Sequence, residues 1–227
     1  MKQLAEKHPA IIRWTHWINF PILFGMIYSG LMIYWAYPEF RIGWGNFTLF
    51  KLFPDWFNKS LGLEHHLAMG MAWHFFLAWI FAINGIAYVI YSIVSGEWRY
   101  LVPTWRNFGE AIQVALHDLH LIKKAPPQGR FNAAQRVTYT AIILMGLGSL
   151  LTGVAIYKPT EQSWLTTLLG GYRMARLEHF LLTMGFCAFF VVHIVQVIIA
   201  GWNNFRSMVT GYEITTQEEP HAERANV

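Results

Sequence analysis

The last long apolar segment of the chain, residues 176–202, constrains the fold more than any other stretch. Beyond His179, its only strongly polar side chains are those of His193 and Gln196, and an apolar run of about 20 residues has the length of a bilayer-spanning helix. The two histidines lie fourteen residues apart, so they leave one helix face within about 40° of each other, at heights about 21 Å apart. Ionisable side chains inside a membrane are costly, so each indicates a functional site with a partner. The simpler alternative is a pair of packed, hydrogen-bonded histidines at a helix interface.

Composition places the chain among membrane proteins with several spans. Of its 227 residues, 55% are hydrophobic, 17% aromatic and 13% charged, which is too apolar for a typical soluble domain. Four runs are long enough to cross a bilayer; the expected spans are about 11–35, 67–94, 137–157 and 177–202, within one domain of residues 1–210. Residues 211–227 are predicted to be a polar, disordered tail. The sequence therefore predicts an all-α, integral membrane four-helix bundle.

Charge distribution predicts the topology of these spans. Eleven Lys and Arg residues lie before or at the start of the first span, between the second and third spans, and after the fourth, against six in the other two loops. The positive-inside rule then places both termini in the cytoplasm, and we expect a multi-pass protein of the bacterial cytoplasmic (inner) membrane. The net charge of +4 is small, and the basic residues lie mainly in the segments between the apolar runs. This pattern does not indicate nucleic-acid binding.

A single cysteine, Cys187, lies in the last span. One cysteine excludes a disulfide framework, a C-x-x-C-H site for covalent haem and a cluster held by several thiolates. Any haem would therefore be bound noncovalently.

Two loops carry amphipathic patterns. The outer loop before the second span is rich in aromatics, and their spacing predicts a short interfacial helix interrupted near Pro54, which would serve as a membrane anchor or a docking surface. The inner loop from Trp105 to Leu119 predicts an amphipathic helix on the cytoplasmic surface.

Four histidines in the spans fall into two pairs of similar depth in the membrane. Counted from the expected cytoplasmic ends, His193 lies eight residues deep and His16 seven, whereas His179 lies twenty-two deep and His74 twenty-one. We call His16 and His193 the inner pair, and His74 and His179 the outer pair. The third span contains no histidine. Matched histidines at two heights on three helices are the arrangement expected for two stacked haems, each held by two imidazoles.

A transporter or channel in which histidines bind zinc or relay protons is an alternative. It predicts histidines clustered with carboxylates at one depth. No Asp or Glu occurs in residues 14–35, 67–95 or 180–202, which disfavours it.

Several segments of the sequence resemble a known family. The segments that carry the resemblance are R-W-T-H-W at Arg13–Trp17, H-F-F-L-A-W at His74–Trp79, H-F at His179, H-I at His193, and N-A-A-Q-R at Asn132–Arg136 with the later Thr152 and Gly153. Together, in this order, they resemble the integral membrane diheme cytochrome b subunits of nickel-iron hydrogenase, formate dehydrogenase and thiosulfate-reductase-type enzymes. The resemblance covers nearly the whole chain.

The resemblance implies one haem ligand from the first span, one from the second and two from the last. In the hydrogenase type a small residue follows the second-span ligand by four positions. Ala78 fits His74, while Gly70 fits His66, so His66 and its neighbour His65 are alternatives to His74. The runs A-R-L-E-H-F and G-W-N-N-F-R-S-M look closest to relatives paired with outer-face molybdenum oxidoreductases.

The function implied is electron transfer between the quinone pool and a periplasmic oxidoreductase subunit, such as a molybdenum enzyme or hydrogenase, through two b haems. The direction is left open, as are the partner's substrate and the oligomeric state. Two imidazoles per iron leave no open position, which argues against oxygen chemistry. A free-standing quinol-oxidising cytochrome b without a protein partner is the alternative.

Other residues are expected around these cofactors. Arg173 and Arg176, near the outer end of the last span, would pair with the propionates of the outer haem, or else snorkel to lipid headgroups. Gly30 lies fourteen residues after His16 and would let the first helix approach the outer porphyrin, unless it only allows close helix packing. By analogy with the family, a quinone site would adjoin the inner haem; the polar residues at that depth are Arg13, Asn19, Gln196 and Asn203.

Overall fold

The computed structural model describes residues 2–37, 41–44, 47–118, 121–123 and 131–216. In chain order its elements are β1 (Lys2–Glu6), α1 (Ala10–Ala36), β2 (Arg41–Trp44), β3 (Phe47–Lys51), α2 (Asp55–Ser60), α3 (Leu67–Val94), α4 (Trp98–Leu101), α5 (Trp105–Asp118), α6 (Ala133–Tyr157), α7 (Ser163–Leu168), α8 (Tyr172–Thr210) and β4 (Tyr212–Thr216). The helices α1, α3, α6 and α8 are long and apolar enough to cross a membrane. The predicted membrane four-helix bundle is therefore confirmed.

Helix α6 begins four residues before the predicted third span because a capping box defines its start. The backbone N–H of Gln135 donates to Asn132 Oδ1 at 2.8 Å, and the backbone N–H of Asn132 donates to Gln135 Oε1 at 3.0 Å. The two side chains satisfy backbone donors that the first helical turn cannot pair internally.

Helix α8 is longer than the predicted fourth span, but it contains a break at the expected end. Gly201 has φ 80° and ψ 174°, a backbone region that is almost restricted to glycine. Beyond this break, the helical residues 202–210 pack against the start of α1. The indole Nε1 of Trp17 donates to the Met208 carbonyl at 3.0 Å, and Arg13 donates to the Val209 carbonyl at 2.7 Å.

The two ends of the described chain meet in a small sheet. Strands β1 and β4 pair antiparallel, from Lys2 opposite Thr216 to Glu6 opposite Tyr212, and Lys7 Nζ lies 2.6 Å from Glu213 Oε2. The expectation of a disordered tail from residue 211 is thus wrong for the residues of β4, whereas residues 217–227 lie outside the described part. We call the side that carries this sheet the terminal side and the opposite side the far side.

The first far-side loop differs from the predicted interfacial helix. Strands β2 and β3 form an antiparallel hairpin, and a helix, α2, begins only after Pro54. The run Phe47–Lys51, F-T-L-F-K, is aromatic and β-branched and so suits a strand, and its aromatic spacing does not distinguish the two structures. On the terminal side, α5 matches the predicted amphipathic helix and packs against α6.

The four long helices form two pairs. In the first helix pair, α1 packs along α3; in the second helix pair, α6 packs along α8; contacts between the two pairs are much fewer. Glycines allow the close approach within each pair: a Cβ on Gly70 would lie 2.7 Å from Met32 Cβ, and one on Gly185 would lie 2.6 Å from Met145 Cε. The histidines of the inner and outer pairs lie where the two helix pairs face each other.

Candidate functional site

The inner pair brings α1 and α8 together. The ring centroids of His16 and His193 lie 6.0 Å apart, with an interplanar angle of 61°. His193 also stacks on Phe189 at 5.5 Å. The Nδ1 atom of His16 is buried and has no hydrogen-bond partner among the described residues.

The outer pair brings α3 and α8 together in the same way. The ring centroids of His74 and His179 lie 6.2 Å apart, with an interplanar angle of 67°. All four imidazoles are half-buried. The structure therefore places together the histidines that the depth match paired.

Helix α1 fixes the imidazole of His74. Its Nδ1 lies 3.1 Å from the Met26 carbonyl oxygen and 3.1 Å from Ser29 Oγ. A carbonyl can only accept, so the proton of a neutral ring belongs on Nδ1. The lone pair of Nε2 is then available to a metal.

Helix α6 fixes the imidazole of His179 by the same chemistry. Its Nδ1 lies 2.9 Å from Thr152 Oγ1, and that hydroxyl donates to the Gly148 carbonyl at 2.7 Å. Because the hydroxyl hydrogen points to the carbonyl, the oxygen accepts from Nδ1–H. Nε2 again carries the free lone pair.

The spacing within each pair suits one metal between two rings. Two imidazoles bound to opposite sides of a metal through bonds of about 2 Å have ring centroids about 6 Å apart, close to the observed 6.0 Å and 6.2 Å. Among the described residues there is no group of three or more His, Cys, Asp or Glu side chains that could hold a metal ion. The donor set at each height is thus two imidazoles, which fits a haem iron, whose other four ligands come from the porphyrin.

The alternative second-span ligands lie elsewhere. His66 is the residue before α3, and His65 packs on Trp35 with a centroid distance of 4.8 Å; both side chains are exposed. The structure therefore brings His74, and neither alternative, opposite His179.

Gly30 faces the outer pair, but its nearest neighbour is an imidazole. A Cβ on Gly30 would lie 3.5 Å from His74 Cε1, and one on Gly153 would lie 3.4 Å from His179 Cε1. Each glycine thus leaves room for a histidine ring next to the hydroxyl that binds it. The sequence analysis missed Ser29 and did not connect Thr152 to His179. The signal that was available is a hydroxyl residue directly followed by glycine, in Ser29–Gly30 and in Thr152–Gly153.

The two far-side arginines differ in their surroundings. The guanidinium carbon of Arg176 lies 4.8 Å from the ring centroid of Tyr37 and 5.9 Å from that of Tyr172. Arg173 is exposed on the first turn of α8. Both therefore lie at the far-side end of the helix that carries His179.

The four polar residues suggested for a quinone site are not gathered in one place. Arg13 and Asn203 serve the terminal side, where Asn203 exchanges two hydrogen bonds with the backbone of Ile214. Asn19 accepts from Asn84 Nδ2 at 2.8 Å and links α1 to α3. Gln196 Nε2 lies 3.4 Å from Asp118 Oδ2, so it is the one directed toward α5.

A cleft of about 440 Å³ lies beside this last contact. Its lining comes from the end of α5, the following residues and α8: His117, Asp118, Ile122, Lys123 and Ile199. His117 Nδ1 lies 3.7 Å from Asp118 Oδ1. The cleft combines apolar walls with a titratable pair at the terminal side.

Comparison with known proteins agrees with this architecture. The family model described as prokaryotic cytochrome b561 matches residues 7–211, which include all four long helices. A protein of Azospira oryzae, named putative protein-methionine-sulfoxide reductase subunit YedZ1, is 30% identical over 200 residues, which cover 87% of this chain and 93% of that protein. The match thus extends over the whole bundle.

Proposed function

The chain belongs to the prokaryotic cytochrome b561 family, and from this membership we propose that it carries electrons across the bacterial cytoplasmic membrane through two noncovalent b haems. The family confirms the resemblance drawn from the sequence, and it implies haem b as the cofactor class. The observation that carries the proposal is the pair of histidine couples between the two helix pairs, at centroid distances of 6.0 Å and 6.2 Å.

Haem b, when bound, supplies one-electron chemistry between ferric and ferrous iron. The protein's part is to bind and orient it: His16 and His193 hold one iron near the terminal side, and His74 and His179 hold the other nearer the far side. Arg173 and Arg176, at the far-side end of α8, pair with the propionates of the outer haem. Gly30 keeps the space beside the outer ligand open.

We place the quinone in the cleft beside Gln196. Its walls suit an apolar ring, and His117 and Asp118 can exchange the protons that accompany quinone reduction or quinol oxidation. Of the four polar residues expected near a quinone, Gln196 is the one whose hydrogen bond reaches the lining of this cleft, at Asp118; Arg13, Asn19 and Asn203 bind Val209, Asn84 and Ile214.

The far side would deliver electrons to a redox partner, or receive them from one. The Azospira oryzae relative is named as a subunit of a protein-methionine-sulfoxide reductase, and we infer that this chain is likewise the membrane subunit of a periplasmic oxidoreductase. The exposed residues Phe47, Thr48 and Leu49 of β3 and the exposed Trp164 of α7 lie on the loops that such a partner would meet.

Haem stoichiometry tests the proposal. The purified chain should give two haems per polypeptide in a pyridine haemochrome assay, with low-spin spectra and reduction by a quinol analogue. One haem or fewer in well-folded protein would refute it. Affinity purification from native membranes should also recover an oxidoreductase, whereas a chain that turns over quinol with a small oxidant alone would favour the free-standing cytochrome.

A further inference from the structure

The two helix pairs share a short sequence repeat at the level of the outer pair. Helix α1 contains G-M-I-Y-S-G at Gly25–Gly30, and α6 contains G-S-L-L-T-G at Gly148–Gly153. Their partner helices contain H-F-F-L from His74 and H-F-L-L from His179. Each helix pair thus combines G-x-x-x-[ST]-G on one helix with H-F-x-L on the other.

Equivalent residues make equivalent contacts. A Cβ on the first glycine of each hexapeptide would meet the leucine three residues after the histidine: Gly25 meets Leu77 Cδ1 at 2.6 Å, and Gly148 meets Leu182 Cδ1 at 3.1 Å. The last glycine of each hexapeptide faces the histidine ring itself. The two packings therefore correspond position by position.

The hydroxyls correspond as well. Ser29 Oγ lies 2.6 Å from the Gly25 carbonyl and 3.1 Å from His74 Nδ1. Thr152 repeats this with Gly148 and His179 at 2.7 Å and 2.9 Å. In each case the hydroxyl donates four residues back along its own helix and accepts from the imidazole of the partner helix. His74 has a backbone partner as well, because its Nδ1 lies 3.1 Å from the carbonyl oxygen of Met26, three residues before Ser29.

The inner pair is held differently. His16 Nδ1 has no hydrogen-bond partner among the described residues. A hydrogen bond at Nδ1 makes an imidazole a stronger donor to its metal and fixes the orientation of the ring. His16 therefore lacks the hydrogen bond at Nδ1 that His74 and His179 have.

We propose that the hexapeptides Gly25–Gly30 and Gly148–Gly153 are matched clamps for the two axial ligands of the outer haem, with Ser29 and Thr152 as positioning residues that lower its midpoint potential. The proposal rests on the haem sites proposed above. The stronger donation from His74 and His179 favours the ferric state, so this haem is harder to reduce than it would be without the hydroxyls.

The test removes both hydroxyls with little change of volume, in the variant Ser29→Ala with Thr152→Val. His74 keeps the Met26 carbonyl as a partner of Nδ1, and both imidazoles keep the Nε2 lone pair that would bind the metal, so both haems should be retained. In a potentiometric titration the outer haem should become easier to reduce, its reduced-to-oxidised ratio at fixed potential rising about threefold to tenfold, as expected for the net effect of single hydrogen bonds. A tenfold rise equals about 59 mV for one electron. Its low-spin electron paramagnetic resonance g values should shift as the rings gain freedom, while those of the inner haem stay unchanged.

Matched variants separate positioning from packing. Ser92→Ala and Thr183→Val remove hydroxyls that also bond the carbonyl four residues back but bind no histidine ring, so they should leave both potentials unchanged. Ser29→Thr with Thr152→Ser keeps both hydroxyls and should behave as wild type. His74→Ala, which lacks the outer haem, identifies the inner signal. The single variants carry the same test if the double variant does not accumulate.

Two outcomes would overturn the inference. One is a double variant with full haem content whose potentials and g values equal those of wild type. The other is an equal shift of both haems, or the same shift in the control variants, which would show a general packing effect. A wild-type chain that holds fewer than two haems would instead refute the proposed function, so the two failures are distinguishable.

Discussion

Single residues on α1 hold the imidazole of His74 opposite His179. His74 is the half-buried one, and two groups on α1 hold its Nδ1, whereas His65 and His66 are exposed before the helix begins. Second-shell partners set the tautomer and the direction of the ring of a metal-binding histidine. These neighbours, far from His74 in the chain, favour it over His65 and His66 as the proposed second-span ligand.

Histidine substitutions should divide into two groups. His16→Ala and His193→Ala should each remove the inner haem, and His74→Ala and His179→Ala the outer one, because one imidazole rarely holds a six-coordinate iron. The haem-to-protein ratio should fall from two to one in all four, with two distinct residual spectra. His66→Ala is the matched control and should retain both haems; loss of the outer haem in that variant would contradict the assignment.

Gly30 should act through the His74 ring. Leucine in its place would press on an imidazole only 3.5 Å from the added Cβ, and such overpacking costs about 1–3 kcal/mol. We expect Gly30→Leu to weaken retention of the outer haem roughly tenfold, measured as haem loss to an acceptor protein, and to leave the inner spectrum intact. Gly85→Leu is the control, since a Cβ there meets nothing within 4 Å. Equal loss of both haems would make Gly30 a packing glycine only.

At the scale of elements, apolar length was enough to predict all four spans, because a bilayer demands about 20 apolar residues and leaves few other solutions. Ends were harder to predict. The capping box at Asn132 extended α6 to Ala133, and the break at Gly201 separated the span from residues 202–210. The hairpin β2–β3 was missed because aromatic spacing in an interfacial loop does not separate a helix face from paired strands.

The break at Gly201 leads to a prediction about stability. Its φ of 80° with ψ of 174° costs a non-glycine residue on the order of 1–3 kcal/mol. Gly201→Ala should therefore lower the midpoint of thermal unfolding by several degrees and increase protease access to residues 202–210. Gly109→Ala in α5, where a Cβ meets open space, should instead be neutral or stabilising by up to ~1 kcal/mol. If both variants melt like wild type, the break is not maintained in the membrane.

For the whole molecule, the histidine pairing was predictable because the depth of a residue in the bilayer limits which residues on other helices can be its neighbours. Helices of alternating direction bring residues of equal depth side by side, and within the four expected spans histidines occur at only two depths. The repeat between the helix pairs was not found, because G-x-x-x-[ST]-G alone is common in membrane helices. The correspondence between the two helix pairs rests on contacts of the hexapeptides with Leu77 and Leu182, and these contacts are seen only in the packed structure.

The sheet of β1 and β4 leads to a prediction about the orientation of the whole chain. Five residues near each end pair antiparallel, and Lys7 binds both Glu213 and Asn204. These contacts need both ends on one side of the membrane, and the excess of eleven over six Lys and Arg residues predicts that this side is the cytoplasm. Green fluorescent protein fused to either terminus should fluoresce, and alkaline phosphatase at either terminus should be inactive. Phosphatase inserted in the loop between α6 and α8 should be active, as a control on the far side. Fusions that report opposite sides for the two ends would contradict the sheet, whereas both ends outside would leave the sheet intact and overturn only the charge argument.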